Sequence, residues 1–181
     1  MSDRTDGQPL IAMEGTMAES YRRHKARKTI VRWIVFFMAI GMIIWLLSPW
    51  YSIKINGVKS IKGTLFILDK TVMPKQGEIA YFYPPKGNLY PENMQFGKYI
   101  AGSSGDVVTI EDRHFFINGH SIGYAFSNAT SGKPLEMSEP GVIPEGYYFM
   151  WGEHEQSYDS RYADIGWIDE GSIVGRLHRI F

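Results

Sequence analysis

The sequence predicts a mostly β protein: one compact, antiparallel β domain behind a single N-terminal transmembrane helix. Three observations predict it. An unbroken apolar run, Trp33 to Leu47, directly follows a basic cluster. From Tyr51 onward, apolar residues fall in short runs separated by Gly, Pro and Asn turn signals. Aromatic residues make up 14% of the chain and Gly occurs 19 times, a mixture that suits strands joined by tight turns.

Residues 1–20 are polar and mixed, without periodicity, and are expected to form a mobile tail; Met13 and Met17 are alternative starts. A basic cluster follows at Arg22, Arg23, Lys25, Arg27, Lys28 and Arg32. The apolar run after it is short for a bilayer, which needs about 20 residues (range about 17–25). Extending it through Ser48-Pro49-Trp50-Tyr51 reaches that range, with aromatic residues at both rims. The basic flank lies on one side only, so the N-terminus is expected to stay in the cytoplasm and the chain after Tyr51 to be exported. A cleavable signal peptide is the alternative, but Ser48-Pro49-Trp50-Tyr51 offers no small-residue cleavage site. A buried soluble helix is the other. The expected boundaries are a basic cytoplasmic tail at 1–32, an anchor at 33–51 and an exported β domain at 52–181.

Within that domain, Ser52–Val58, Thr64–Asp69, Glu78–Tyr83, Val107–Ile110 and His114–Ile117 read as strands. Asn118-Gly119 reads as the type I′ turn of a hairpin. Residues 127–141 read as a surface loop, and the sequon Asn128-Ala129-Thr130 falls inside it. No helical pattern follows residue 51, and no internal repeat is visible.

Composition excludes several chemistries. There is no cysteine, hence no disulfide framework, thiolate nucleophile or Cys-based zinc site. His24, His114, His120 and His178 show no metal-ligand spacing, and no cofactor is expected. Charge is balanced, with 19 basic and 19 acidic residues, so no nucleic-acid partner is expected. The balance is uneven along the chain: seven basic and four acidic residues in 1–32, twelve and fifteen in 33–181.

Three segments carry candidate chemistry. Ser60 lies in a turn, Asn56 to Leu65, just past the expected membrane boundary. Lys98 precedes the apolar stretch Tyr99-Ile100-Ala101 and a Gly-x-x-Gly-Asp turn. A strand from Tyr147 leads to Gly152-Glu153-His154 and the cluster Asp159-Ser160-Arg161-Tyr162. Taken singly, a serine in a turn and a lysine at a strand start are ordinary structural residues.

Taken together, the three segments resemble the type I signal peptidase family. Its nucleophile box, Ser-Met-x-Pro-Thr-Leu, is matched by Ser60-Ile61-Lys62-Gly63-Thr64-Leu65. Its base box, Lys-Arg-x-x-Gly-x-Pro-Gly-Asp, is matched by the run from Lys98 to Asp106. Its last box, Gly-Asp-Asn and then Ser-x-Asp-Ser-Arg-Tyr, is matched by Gly152-Glu153-His154 and the run from Ser157 to Tyr162. Order and spacing agree over residues 53–181. Among the departures from the pattern, three bear on the site. Gly63 and Ser104 replace prolines, and Val58 stands where many relatives carry a serine that donates to the oxyanion.

The resemblance implies a serine endopeptidase whose nucleophile is Ser60 and whose general base is Lys98. The chemistry is self-consistent. A serine hydroxyl needs a base, a solvated lysine titrates near 10.4, and burial lowers that value by up to about 3–5 units. Ser157 is expected to orient the amine, as its counterpart does in the family. Asp159 and Arg161 read as a buttressing ion pair on one face of a strand. The Ser60 backbone N–H is a candidate oxyanion donor, and Asn56 a weaker one. A Ser60–His154–Asp159 triad is the rival mechanism.

The family further implies a peptide substrate, an inner-membrane location in bacteria and a periplasmic catalytic domain. The substrate is expected to lie extended along a strand. The small domain and single anchor look like the conjugative-transfer branch, whose members process pilin precursors and in some cases cyclise them. Conjugation or type IV secretion components are then possible partners. A general leader peptidase is one alternative. A non-catalytic, membrane-tethered scaffold of a secretion or pilus complex is another.

Overall fold

In the computed structural model, the backbone is described for residues 8–57, 60–91 and 93–181; the side chains of residues 8–21 and of Arg23 lie outside the description. The chain divides into two units, Met1–Ser48 and Pro49–Phe181.

The first unit is one helix, α1, Gln8–Leu47. It begins well before the apolar run, so residues 8–20, expected as a tail, are helical. Residues 1–7 lie outside the described residues. The stretch His24–Leu47 has a mean hydropathy of 2.4 and is long enough to cross a bilayer. Its apolar side chains, among them Trp33, Phe37, Met38 and Trp45, are all exposed. The helix stops at Leu47 because Pro49 disfavours helical backbone at Ser48. Ser48 instead turns back, its N–H and hydroxyl both donating to the Trp45 carbonyl at 3.3 and 2.8 Å. Trp50 thus lies in a turn, and Tyr51 already belongs to a strand.

The second unit is mostly β. Its strands are β1 (Tyr51–Ile55), β2 (Leu65–Asp69), β3 (Ile79–Phe82), β4 (Phe96–Gly102), β5 (Val107–Glu111) and β6 (His114–Ile117). They continue with β7 (His120–Tyr124), β8 (Gly141–Val142), β9 (Tyr147–Trp151), β10 (Ile168–Asp169) and β11 (Ile173–Arg179). A seven-stranded sheet runs β1-β2-β11-β3-β4-β9-β10, and a four-stranded sheet runs β7-β6-β5-β8. Every recorded strand pairing is antiparallel. The hairpin β6–β7 turns at Asn118 and Gly119, with φ of 49° and 78°, the two positive values a type I′ turn requires.

Residues 127–141 are more ordered than a plain surface loop. Asn128 bridges to Pro134 and Met137 to Tyr162. Leu135 and Ser138 are buried. The short apolar content of this segment hid a turn that closes on itself.

Two apolar clusters hold the sheets. The larger joins both sheets through Phe82, Phe115, Phe149, Ile100 and Ile143. The smaller packs Ile61, Phe66, Leu68, Ile79 and Leu177. Each such buried side chain contributes on the order of 1.5–3 kcal/mol. β4 lies between β3 and β9 and pairs Ala80 with Lys98 and Tyr99 with Trp151. This interior position matters for the site.

Candidate active site

Lys98 is the third residue of β4, whose burial alternates from end to end as buried and half-buried. Strand alternation therefore sends Lys98 inward with Phe96 and Ile100. Only 3% of the residue is exposed. Of the apolar stretch that follows Lys98, Tyr99 and Ala101 lie on the opposite face, and the Phe96 ring flanks the amine, its centroid 6.0 Å away. That amine donates to the Ser157 hydroxyl at 2.5 Å. Burial pushes the Lys98 pKa down to about 8, with Asp159 opposing the shift and Arg161 reinforcing it.

Ser157 is itself 3% exposed. It is delivered by a buried turn built around Asp159 and Arg161. The sequence reading set these two on one face of a strand. The structure corrects this. A strand would hold residues two apart about 7 Å from each other. The chain instead turns, closed by the Tyr162 N–H to the Asp159 carbonyl at 3.0 Å. Arg161 then folds back onto the carboxylate, Nε to Oδ1 at 2.8 Å and Nη2 to Oδ2 at 2.9 Å. Burial opposes the charge of Arg161, but the Asp159 bonds outweigh it and its pKa is raised. The remaining guanidinium hydrogens reach the carbonyls of Ser157 at 3.1 Å and Tyr124 at 2.9 Å. Such complete pairing is what makes a buried ion pair tolerable, and here it fixes the backbone at Ser157.

Ser60 sits in the turn between β1 and β2, half-buried. Asn56 closes this turn: its N–H donates to the Thr64 carbonyl at 2.9 Å, and Nδ2 donates to the carbonyls of Ile61 and Gly63, each at 3.0 Å. Both amide hydrogens are thus engaged, which removes Asn56 as an oxyanion donor. Val58 lies outside the described residues. Gly63 has φ of 115°, which a proline ring, fixed near −65°, cannot adopt. The departure from the family's proline follows from the turn.

Glu153 grips the same turn from the other side. Its N–H donates to the Ser60 carbonyl at 2.8 Å, and its carboxylate accepts from the Lys62 N–H at 2.7 Å. Gly152 lets the two segments meet. A Cβ there would collide with the Ser157 hydroxyl and come within 2.9 Å of the Ser60 carbonyl. Sequence reasoning assigned Glu153 no role; its place in the last box, one residue after that glycine, was the available signal.

His154 is exposed, and its Nδ1 accepts from the Gln156 N–H at 3.1 Å. The Asp159 carboxylate is committed to Arg161 and to the Gly152 N–H at 3.0 Å. The hydrogen bond from histidine to aspartate that a triad needs is therefore not formed. Among the described residues, no group of three or more His, Cys, Asp or Glu is placed to hold a metal.

Ser60 and Lys98 line one open cleft of about 450 Å³. Residues 54–57 form one bank and residues 94–98 the other. Tyr81, Tyr90, Phe96 and Tyr158 make its walls largely apolar. A hydroxyl and a buried amine of lowered pKa facing one peptide-sized cleft can carry out acyl transfer.

Comparison with known proteins agrees in class. The family model described as signal peptidase, peptidase S26, matches residues 26–181. A conjugal transfer protein, TraF, from Agrobacterium fabrum is 26% identical over 146 residues, 71% of this chain and 81% of that protein. A signal peptidase I from Bacillus licheniformis is 30% identical over 98 residues, 50% of this chain and 52% of that protein. The chain thus spans about half the length of that peptidase. A crystal structure of a signal peptidase I from Enterococcus faecalis aligns with a TM-score of 0.39 at 23% identity, covering 59% of this chain and 98% of that one.

Proposed function

The chain belongs to the signal peptidase family, peptidase S26, and from that premise we propose a serine endopeptidase working through a Ser60–Lys98 dyad. The observation that carries the reading is Lys98: buried on a core face, held by Ser157, pushed down to about 8, and lining the cleft that Ser60 lines.

The neutral Lys98 amine takes the Ser60 hydroxyl proton while Oγ attacks the scissile carbonyl. The Ser60 N–H donates to the oxyanion. The Lys98 ammonium returns the proton to the departing amine, leaving an acyl ester on Ser60. Water, deprotonated by Lys98, releases the acyl group. Ser157 holds the amine aimed at the reacting atoms, and the Asp159–Arg161 pair holds Ser157.

The helix serves as a single-pass anchor in the bacterial inner membrane, with the basic cluster cytoplasmic and the β domain periplasmic. Substrates are then exported precursors, cut at their signal or pro-peptides. Similarity to a conjugal transfer protein over most of its length supports a pilin precursor. Attack on the acyl-enzyme by the pilin's own N-terminal amine, in place of water, would give a cyclic product. Similarity to Bacillus signal peptidases supports the second reading, a general leader peptidase.

The test is intact-mass analysis of a co-expressed pilin precursor, with the unaltered enzyme and with Ser60→Ala and Lys98→Ala. A mass loss seen only with the unaltered enzyme is expected, and a further deficit of one water would mark cyclisation. Processing that survives either substitution refutes the dyad. An unprocessed pilin beside processed secretory precursors selects the leader peptidase. No processing of either restores a scaffold role.

A further inference from the structure

A second cavity, of about 340 Å³, adjoins the catalytic cleft. Tyr90, Gln156 and Tyr158 line both spaces, so they form a shared wall. The far side is built by Phe126, Leu135 and the turn Asn128–Ser131. That turn is not slack chain. Ala129 N–H donates to Lys133 O, Gly132 N–H to Ala129 O, and Leu135 N–H to Ser127 O, each at 2.8 Å.

The wall is aromatic and its polar ends are engaged. The Tyr158 hydroxyl donates to Asp164 at 2.8 Å, and the Tyr162 hydroxyl accepts from the Phe126 N–H at 3.1 Å. The Tyr158 and Tyr162 rings stack with centroids 5.5 Å apart, and Tyr90 lies against Tyr158 at 5.8 Å. No Lys, Arg, Asp or Glu lines the cavity. It therefore suits an uncharged side chain, flat or branched, and Asn128, Thr130, Ser131 and Gln156 add polar groups to its lining. Its volume suits one or two large side chains rather than a folded element.

Continuity with the cleft identifies the occupant. A polypeptide lying in the cleft meets this cavity across the wall formed by Tyr90, Gln156 and Tyr158. Tyr158 also follows Ser157 directly, so the backbone that positions the amine's partner positions this wall too. We infer that the cavity is a substrate-recognition site that takes an aromatic or branched aliphatic side chain of the precursor, away from the residues flanking the scissile bond. This rests on the reading of the cleft as a peptidase site.

The full chain carrying Ser60→Ala, in detergent micelles, is titrated with fluorescein-labelled Ala/Gly/Ser peptides in which a single Phe is walked along the sequence. One position is expected to tighten binding about tenfold or more over the peptide without Phe. Ala129→Trp and, separately, Ser131→Trp each place an indole on the turn that lines the cavity. Each is expected to cut that preference to within about threefold. No Phe preference at any position, as expected if the cavity holds something other than peptide, overturns the inference. So does a preference that both substitutions leave intact. Cleavage of the same peptides by the chain with Ser60 restored reads the dyad separately. Selective binding without cleavage retires the dyad and keeps the cavity, whereas cleavage without Phe preference does the reverse.

Discussion

Replacing Lys98 by methionine isolates the property on which the mechanism depends, because it removes the charge and keeps the volume. Lys98 is lowered from 10.5 to about 8 by burial. A basic group whose folded pKa lies below its unfolded one costs stability while both states hold the proton, and that cost is relieved as pH rises through the range where only the unfolded chain holds it. That window runs here from about pH 8 to about 10.5; below it the full cost applies, and above it none. A shift of this size corresponds to about 3 kcal/mol. Removing the lysine leaves the Ser157 hydroxyl without its donor, at a cost of about 1–2 kcal/mol. Lys98→Met is therefore expected to be more stable than the unaltered protein at pH 7, by roughly 1–2 kcal/mol. At pH 10 the order reverses, because most of the ammonium penalty has gone while the Ser157 loss remains. Urea unfolding followed by tryptophan fluorescence in detergent, at pH 7, 8, 9 and 10, gives the difference directly; other titrating groups cancel between the two proteins. A stability difference that stays constant across this range would falsify the lowered pKa, and with it the supply of neutral amine.

Three further outcomes are expected. Activity, read as kcat on a peptide substrate, should rise about tenfold per pH unit below pH 8 and level off above it; a flat profile from pH 6.5 to 9 contradicts Lys98 as the base. Glu153→Ala should lower kcat about tenfold with little change in KM, because a charge-assisted bond to the nucleophile turn is lost. Glu153→Gln, which keeps an acceptor for the Lys62 N–H, should recover most of it, and equal losses in both would assign Glu153 a different role. Arg161→Met should destabilise by about 3–5 kcal/mol, since it strands the fully buried Asp159 carboxylate; a change below about 1 kcal/mol in urea would show that the pair is dispensable.

The chain's own order of residues made the class readable. Short apolar runs with Asn-Gly and Gly-Asp turns specify antiparallel strands through local rules alone, and the Asn118-Gly119 hairpin follows from backbone conformations that few other residues reach. The apolar run specified a long exposed helix for the same reason, although its start at Gln8 was invisible where no apolar period marks it. The Ser60, Lys98 and Ser157 boxes were legible by spacing. Tertiary structure decided what those residues experience. Lys98 is buried because β4 alternates and lies between two strands, a fact about sheet order and not about its neighbours in sequence. The Arg161 bond to the Tyr124 carbonyl, the Glu153 grip on Ser60 and the cavity behind Tyr158 each join segments tens of residues apart, so their distances are set only once the sheets close. Local sequence carries the chemistry of each group, whereas desolvation and mutual geometry, which turn an ordinary lysine into a candidate base, are properties of the packed fold.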